Sequence, residues 1–389
     1  MFLKAEGGFI WLTYFKSIVF QTSPYLLKSF FILFIGALLL FELMSSKKFF
    51  QRLTNWELWN FYVLYAPISP VWFWYCLRSW SIWFFSSSNP TITFGGFEGE
   101  GKKEMYDQLP SDLVPRTIYI MHDWIFEDVK KRIAEAGFVF PFIVKPDVGM
   151  KGILFRKIEN EDQLLKYHER IPVEYIVQDL IVLPVEVSVF YYRYPDKGKG
   201  VVSGFIDKEL LHVKGDGQST LKELTEQHPR AKFRMEEMEH RHGHRFSRKI
   251  PEGEIFYLSY AGNHNRGAHF TNLHKEINEQ MHDVFDKLSH HTSFYYGRYD
   301  IKTTSIEDLK EGKNFQIIEF NGCGAEPNHI YDCNMSLWRA YSVLLTHWKA
   351  LYRISRFNHK NGTPYWSFKK GWDFLKQSSE HFRLLEKYD

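Results

Sequence analysis

Three short stretches hold residues whose types and spacing could do phosphate and metal chemistry. They are FIVKPDVGMKG at 142–152, GRYDIK at 297–302 and IIEFNG at 317–322. In the first, a strand-like run delivers Lys145 to a loop with Gly149 and Gly152. Glycines let backbone amides approach a phosphate with no Cβ in the way, and a lysine adds a point charge for the same anion. The GxxxxGK[ST] spacing of a P-loop is absent, and a plain Gly-rich turn between strands is the alternative. In the other two stretches, side chains repeat with period two along a strand. Arg298 and Asp300 then share one face, as do Glu319 and Asn321. If the strands are neighbours, Asp300, Glu319 and Asn321 form an oxygen-rich cluster of the kind that takes Mg2+, with substrate phosphates completing its shell. Two carboxylates on a buried face need a cation or must protonate. Arg298 would stabilise charge on a transferring phosphoryl group.

A fourth stretch, EYIVQDLIVLPVEVSV at 174–189, ends an apolar strand at Gln178, Asp179 and Leu180. Such a strand edge offers backbone groups and apolar walls to an adenine. Glu186, after the bend at Pro184, offers a carboxylate to ribose hydroxyls; its plain reading is a surface strand glutamate. EHRHGHRF sets His240, His242 and His244 at alternate positions. On a strand they would share a face, but the charged, helical context favours a solvated segment over a metal site.

These residues need elements to hold them. EDVKKRIAEAGF reads as an amphipathic helix ending at Gly137, VFPFIVKP as a strand, and EYIVQDLIVLPVEVSVFYYR as two strands around Pro184. INEQMHDVFDKLSHH reads as a helix, and TSFYYGRYDIKTT with NFQIIEFNG as paired strands. The alternation from Arg116 onward is that of an α/β domain.

The chain has 389 residues, room for two or three domains, and 49 basic against 46 acidic residues. That balance excludes the strong basic excess of a typical nucleic-acid binder. Three cysteines, Cys76, Cys323 and Cys333, argue against a disulfide scaffold and for a reducing compartment. Seven of the twelve tryptophans fall in the first 85 residues, a membrane-interface signature. Within 25–44, YLLKSFFILFIGALLLFELM, the uncharged core is 13 residues, while all 20 would reach about 30 Å as a helix. Residues 58–77 carry no charge, but Pro67 and Pro70 interrupt them, as in a re-entrant or interfacial hairpin or a kinked span. If only the first of these segments spans, Lys47, Lys48 and Arg52 favour the cytosol for the chain beyond them. No signal-peptide layout is evident.

The order lysine–glycine loop, hinge strand, glutamate, RxD, ExN resembles the ATP-grasp superfamily. Within it the nearest pattern is that of carboxylate–amine ligases similar to D-alanine–D-alanine ligase. LHVKGDGQSTLKEL and LSYAGNHNRGAHFTN also resemble the module of cyanophycin-synthetase-like ligases. The resemblance covers about residues 116–345. It implies an α+β ATP-grasp fold, two α+β subdomains gripping ATP between sheets, preceded here by hydrophobic N-terminal helices. It implies ATP and Mg2+ as cofactors, with Mn2+ as a substitute.

Carried over, Lys145 matches the lysine on the ATP phosphates, and Asp147 to Gly152, with Gly149, Lys151 and Gly152, the phosphate cover. Gln178, Asp179 and Leu180 match the adenine hinge, and Glu186 the ribose ligand. Arg298 matches the catalytic arginine, and Asp300, Glu319 and Asn321 the metal ligands. Asn263, Arg266 and Gly267 match a loop near the phosphates and acceptor. The tail GCGAEPNHIYD departs from the family's acceptor turn, leaving Glu326 and His329 as candidates for reading the acceptor beside their plain reading as loop residues.

The expected organisation is a membrane-associated aromatic-rich region at 1–88, a linker or remnant module at 89–115, an ATP-grasp domain at 116–345 and a helical tail at 346–389. The expected activity joins a carboxylate to an amine through an acyl phosphate, on small-molecule or lipid-linked substrates, at a membrane with the catalytic domain in the cytoplasm and without nucleic acid. The alternatives are a kinase acting on a hydroxyl, a membrane-bound nucleotide-binding adaptor without turnover, and a soluble ligase whose apolar N-terminus binds a partner.

Overall fold

The computed structural model describes residues 55–150, 152–259, 262, 267–331 and 335–389. The apolar stretch at 25–44 and the cations Lys47, Lys48 and Arg52 lie outside the described residues, as do Lys151, Asn263, Arg266 and Cys333. The chain divides into two compact units, Met1–Pro67 and Ile68–Asp389.

The described part of the first unit holds a 3-10 turn, Trp56–Leu58, and helix α1, Phe61–Tyr65, capped by the Asn60 side chain. The second unit opens with α2, Ser69–Ser79. Pro70 sits in its first turn, where a missing N–H costs nothing. With 11 residues, α2 is about 16 Å long, half a bilayer core. Residues 58–77 therefore do not form one continuous helix, and among the described residues no helix is long and apolar enough to cross a membrane. Residues 68–88 belong to the same unit as residues 89–389: Phe84 and Phe85 are buried beside Leu351 and Ile354.

Next come α3 (Lys102–Tyr106), β1 (Thr117–Ile120), α4 (Phe126–Glu135), β2 (Phe142–Pro146), β3 (Arg156–Ile158), α5 (Glu161–Arg170) and β4 (Tyr175–Asp179). The four strands form an antiparallel sheet in the order β1-β4-β2-β3. Apolar residues at helical spacing, Val129 and Ile133 of α4 and Leu164 and Tyr167 of α5, share one core with Phe142, Val144 and Val177 of the sheet. Gly137, in the left-handed region at φ 72°, follows α4.

The second sheet comes next: β5 (Val185–Tyr192), β6 (Val201–Glu209), a hairpin of β7 (His212–Lys214) with β8 (Ile255–Tyr257) enclosing α6 (Leu221–Gln227) and α7 (Met235–His242), then β9 (His269–Asn272). After it come α8 (Glu279–His291), β10 (Tyr296–Thr303), α9 (Ile306–Lys310) and β11 (Phe315–Asn321). The order is β11-β10-β5-β6-β9, again antiparallel. Its apolar face, with Val187, Val189, Tyr191, Phe205, Tyr299 and Ile301, packs in one core with Met281, Phe285 and Leu288 of α8. Thus the strand and helix expectations between 126 and 321 match the observed elements.

Two long helices close the chain, α10 (Leu337–Lys360) and α11 (Phe368–Glu386). The far end of α11 returns to the first sheet: Phe382 and Leu385 join its core with Val148 and Met150 packed against it. His381 Nε2 bonds the Val148 carbonyl at 2.9 Å, and Leu154 N donates to Asp389 Oδ1 at 2.9 Å. The loop after β2 is thereby tied to α11. Phe382→Ala should cost about 3–5 kcal/mol in urea unfolding and raise hydrogen exchange at 147–154. Unchanged exchange there would show that α11 does not hold the loop.

Candidate active site

Strand alternation puts Glu186 and Ser188 of β5 and Arg298, Asp300 and Lys302 of β10 on one face, with Asp300 opposite Ser188 and Lys302 opposite Glu186. On the other side of β10, Asp300 pairs with Glu319 and Arg298 with Asn321. Asp300, Glu319 and Asn321 are thus neighbours on that face. Arg298 grips Asp300 with two nitrogens, Nε to Oδ1 at 3.0 Å and NH2 to Oδ2 at 3.3 Å. Lys208 of β6 approaches Asp300 Oδ1 at 3.0 Å and Glu186 Oε1 at 3.8 Å, and Lys302 reaches Glu186 Oε2 at 3.7 Å. Ser188 Oγ donates to Asp300 Oδ1, and Asn321 Nδ2 to its Oδ2 at 3.4 Å. Burial alone would raise the Asp300 carboxyl; Arg298 and Lys208, with hydrogen bonds from Arg298 and Ser188, hold it well below the usual carboxylate range. Burial raises the Glu186 carboxyl, opposed by Lys208 and Lys302.

The first sheet and α3 supply the opposing groups. Tyr106 of α3 bridges the two sheets: its hydroxyl donates to Ile318 O of β11 at 2.7 Å and accepts from Lys145 Nζ of β2 at 3.4 Å. Lys102 Nζ donates to Asp147 O at 3.1 Å and Gly149 O at 3.3 Å. Burial pushes both ammonium groups down, and the nearby Glu319 charge opposes that. Glu319 therefore stands within electrostatic reach of two lysines from the other side. Glu100 adds a carboxyl whose Oε2 is shut from solvent without a hydrogen-bond partner. Burial and the charges of Glu319 and Glu104 push it up to about 7, against its own backbone N–H and Lys102.

This near side is fixed by backbone contact. Cys323 N donates to Gly95 O at 3.0 Å and Gly324 N to Gly96 O at 2.9 Å, just past Asn321. A Cβ on Gly324 would lie 1.9 Å from Phe97 O, so only glycine permits the approach.

At the hinge, Gln178 is buried and its Nε2 donates to Thr117 Oγ1 at 2.7 Å, while Asp179 is held by Nε and NH2 of Arg116 at 3.2 and 2.8 Å. Leu180 follows the strand, half-buried. Gly149 and Gly152 lie in the loop held by Lys102 and α11, Gly152 at φ 70°. Gly267 opens the segment before β9, against the Leu211 side chain. Glu326 accepts from Tyr331 OH at 2.7 Å, and its carbonyl from Arg298 at 3.4 Å. His329 is buried with its ring 5.4 Å from that of His347, and burial pushes it down to about 4. It fills the space above Gly204, which makes it a packing group more than an exposed reader. His240 and His242 lie in α7 and His244 in the following 3-10 turn, so their spacing does not converge as on a strand; His242 instead bonds Leu258 O.

Among the described residues no group of three or more His, Cys, Asp or Glu side chains is placed to hold a metal ion. Two carboxylates and an amide on adjacent strands, beside the orphaned Glu100 oxygen, fit a cation of the Mg2+ type, which takes one or two protein carboxylates and completes its shell with phosphates. Asp300 is already neutralised by two cations, so Glu319 is the carboxylate with most to gain.

Sequence reading missed Lys102, Tyr106, Glu100, Ser188, Lys208 and Lys302. The alternation of GRYDIK extends to Lys302, and that of VEVSV to Ser188, so two were readable. Nothing local marks Lys208, or a segment read as linker that crosses between sheets.

No family model matches the chain, and no curated protein matches it in sequence. Solved structures similar to it include a glutathione synthetase, a D-alanine–D-alanine ligase and an ATP-grasp ligase. A bifunctional glutathione synthetase from Pasteurella multocida matches at 16% identity and TM-score 0.34, over 61% of this chain and 34% of that one. A D-alanine–D-alanine ligase from Bacillus anthracis matches at 13% and 0.37, over 67% and 69%. The ATP-grasp ligase PsnB, complexed with minimal precursor, Mg and ADP, matches at 14% and 0.34, over 63% and 57%. The chain thus spans about a third of the first and over half of the other two.

Two outcomes test the geometry. Glu100 gains protons on folding, because its carboxyl is raised from 4.5 to about 7. Its contribution to stability is full below about pH 4.5 and is lost as pH rises towards 7, amounting to about 1–3 kcal/mol. Glu100→Gln should flatten that fall in metal-free denaturation; identical curves would show that Glu100 is solvated. A Cβ at Gly204 would sit 2.0 Å from His329 Nδ1. Gly204→Ala should therefore destabilise by about 1–3 kcal/mol, and a second change, His329→Ala, should reduce that increment. Additive effects would deny the contact.

Proposed function

We propose that the chain is an ATP- and Mg2+-dependent ligase of the ATP-grasp type, joining a carboxylate to an amine through an acyl phosphate. The observation that supports this best is the facing of Arg298, Asp300, Glu319 and Asn321 on one sheet by Lys102 and Lys145 from the other side.

In this reading the end of β4 and the residue after it, Gln178 to Leu180, receive the adenine and Glu186 the ribose. Lys102 and Lys145 hold the phosphates, covered by the amides of the loop through Gly149 and Gly152. Lys151 and Arg266 are proposed to join them. Mg2+, held by Glu319, Asn321 and Asp300, would neutralise charge on the β- and γ-phosphates. A carboxylate oxygen of the first substrate attacks the γ-phosphorus, the bond to the β-bridging oxygen breaks, and ADP leaves. Arg298 stabilises the equatorial charge. An amine then attacks the acyl carbon, loses a proton, and phosphate departs. The protein contributes positioning and electrostatics without a nucleophile of its own. We further place this chemistry at the cytoplasmic side of a membrane, on a membrane-proximal substrate, as residues 25–52 and the exposed aromatics favour.

Phosphate release from MgATP, screened against carboxylates with and without amines, tests the reaction. Release that requires both supports ligation; ADP formation with hydroxyl compounds alone replaces it with a kinase. Glu319→Ala should lower turnover about 100-fold or more with unchanged thermal unfolding. Lys102→Ala should chiefly raise KM for ATP, and wild-type kinetics in both variants would remove the assignment.

A further inference from the structure

α2 is apolar on both sides. Trp72, Tyr75 and Cys76 face inward, Trp72 meeting Trp348 at 5.1 Å and Tyr75 stacking on Tyr352 of α10 at 4.4 Å. The other side shows Phe73, Trp74 and Leu77 to solvent, followed by Trp80, 96% exposed at the left-handed end of the helix. A second exposed pair, Phe368 (65%) and Trp372 (59%), stacks on the first turn of α11 at 6.1 Å. Trp83 joins the two regions: it stacks on Phe368 and donates from Nε1 to the Phe368 carbonyl at 3.1 Å. Packing satisfies Trp83, and leaves the outer rings in water at a cost roughly proportional to their area.

Charge around these rings is mainly positive, although Asp373 directly follows Trp372. No Asp or Glu occurs from 58 to 97, and α10 carries Arg339, Lys349, Arg353, Arg356 and Lys360 with no acid. Lys369 and Lys370 come directly after Phe368. The cations lie at the aromatic rim: Lys370 Nζ is 3.9 Å from the centre of the Trp366 ring, and the Arg78 guanidinium is 5.9 Å from that of Trp74. Rings below and cations around them match the order of a bilayer surface, acyl chains under anionic phosphates.

We propose that this α2–α11 face docks shallowly on an anionic lipid bilayer. Trp74, Leu77, Trp80, Phe368 and Trp372 enter the headgroup boundary, and Arg78, Lys369 and Lys370 pair with lipid phosphates. The surface deepens the membrane-proximal part of the proposed function. It is independent of the ligase chemistry, so vesicle binding without nucleotide tests it separately.

The full chain is mixed with phosphatidylcholine vesicles with and without phosphatidylglycerol, some carrying brominated acyl chains. Binding should need phosphatidylglycerol and weaken with salt, and bromine should quench tryptophan fluorescence. Leu77→Glu with Trp80→Glu should weaken partitioning about tenfold or more. Lys369→Glu with Lys370→Glu should remove most of the preference for phosphatidylglycerol. Phe368→Ser with Trp372→Ser should reduce quenching, and Leu77→Glu with Trp80→Glu should keep the wild-type unfolding midpoint because both side chains are exposed. Vesicle binding by the variants equal to wild type would place attachment elsewhere. Failure of the wild type to bind either vesicle would leave the face to a protein partner; either result overturns the proposal.

Discussion

Asp300 is buried on a sheet face where an isolated carboxylate would cost several kcal/mol, and the surrounding architecture answers that cost. Four strands bring cations or donors to its two oxygens: Lys208 from β6, Ser188 from β5, Arg298 from two positions earlier on β10, and Asn321 from β11. Asn328 then donates to Ser188 Oγ at 3.3 Å, so the turn after β11 is tied to the same network. Strand register is strongly specified here. A one-residue slip would send Arg298 and Asp300 into the apolar core and expose Tyr299 and Ile301.

The opposite wall depends on a different kind of constraint. The segment from Gly95 to Tyr106 crosses between the sheets, held by backbone contacts at glycines and by the Tyr106 hydroxyl. It places Lys102 and Glu100 near Glu319. α11 then reaches the loop after β2, so one helix touches that loop at one end and presents Phe368 and Trp372 to solvent at the other.

Sequence alone was enough wherever a short-range rule operates. Period-two alternation set Arg298 with Asp300 and Glu319 with Asn321, because a strand's side-chain direction is decided by the chain itself. Helical periodicity and Gly137 bounded α4, and Pro184 separated β4 from β5. The aromatic excess before residue 85 was visible, but its division was not. Trp72, Trp83, Phe84 and Phe85 pack inward while Trp74 and Trp80 face water, and composition is the same for both. The tertiary structure decided the partners that arrive from far along the chain. Lys208 and Ser188 reach Asp300 from about 90 and 110 residues away, and Lys102 and Tyr106 reach Glu319 and Ile318 from over 200, through strand order and a crossing segment. No local propensity encodes such meetings, because they depend on which surfaces bury together once the two sheets have formed.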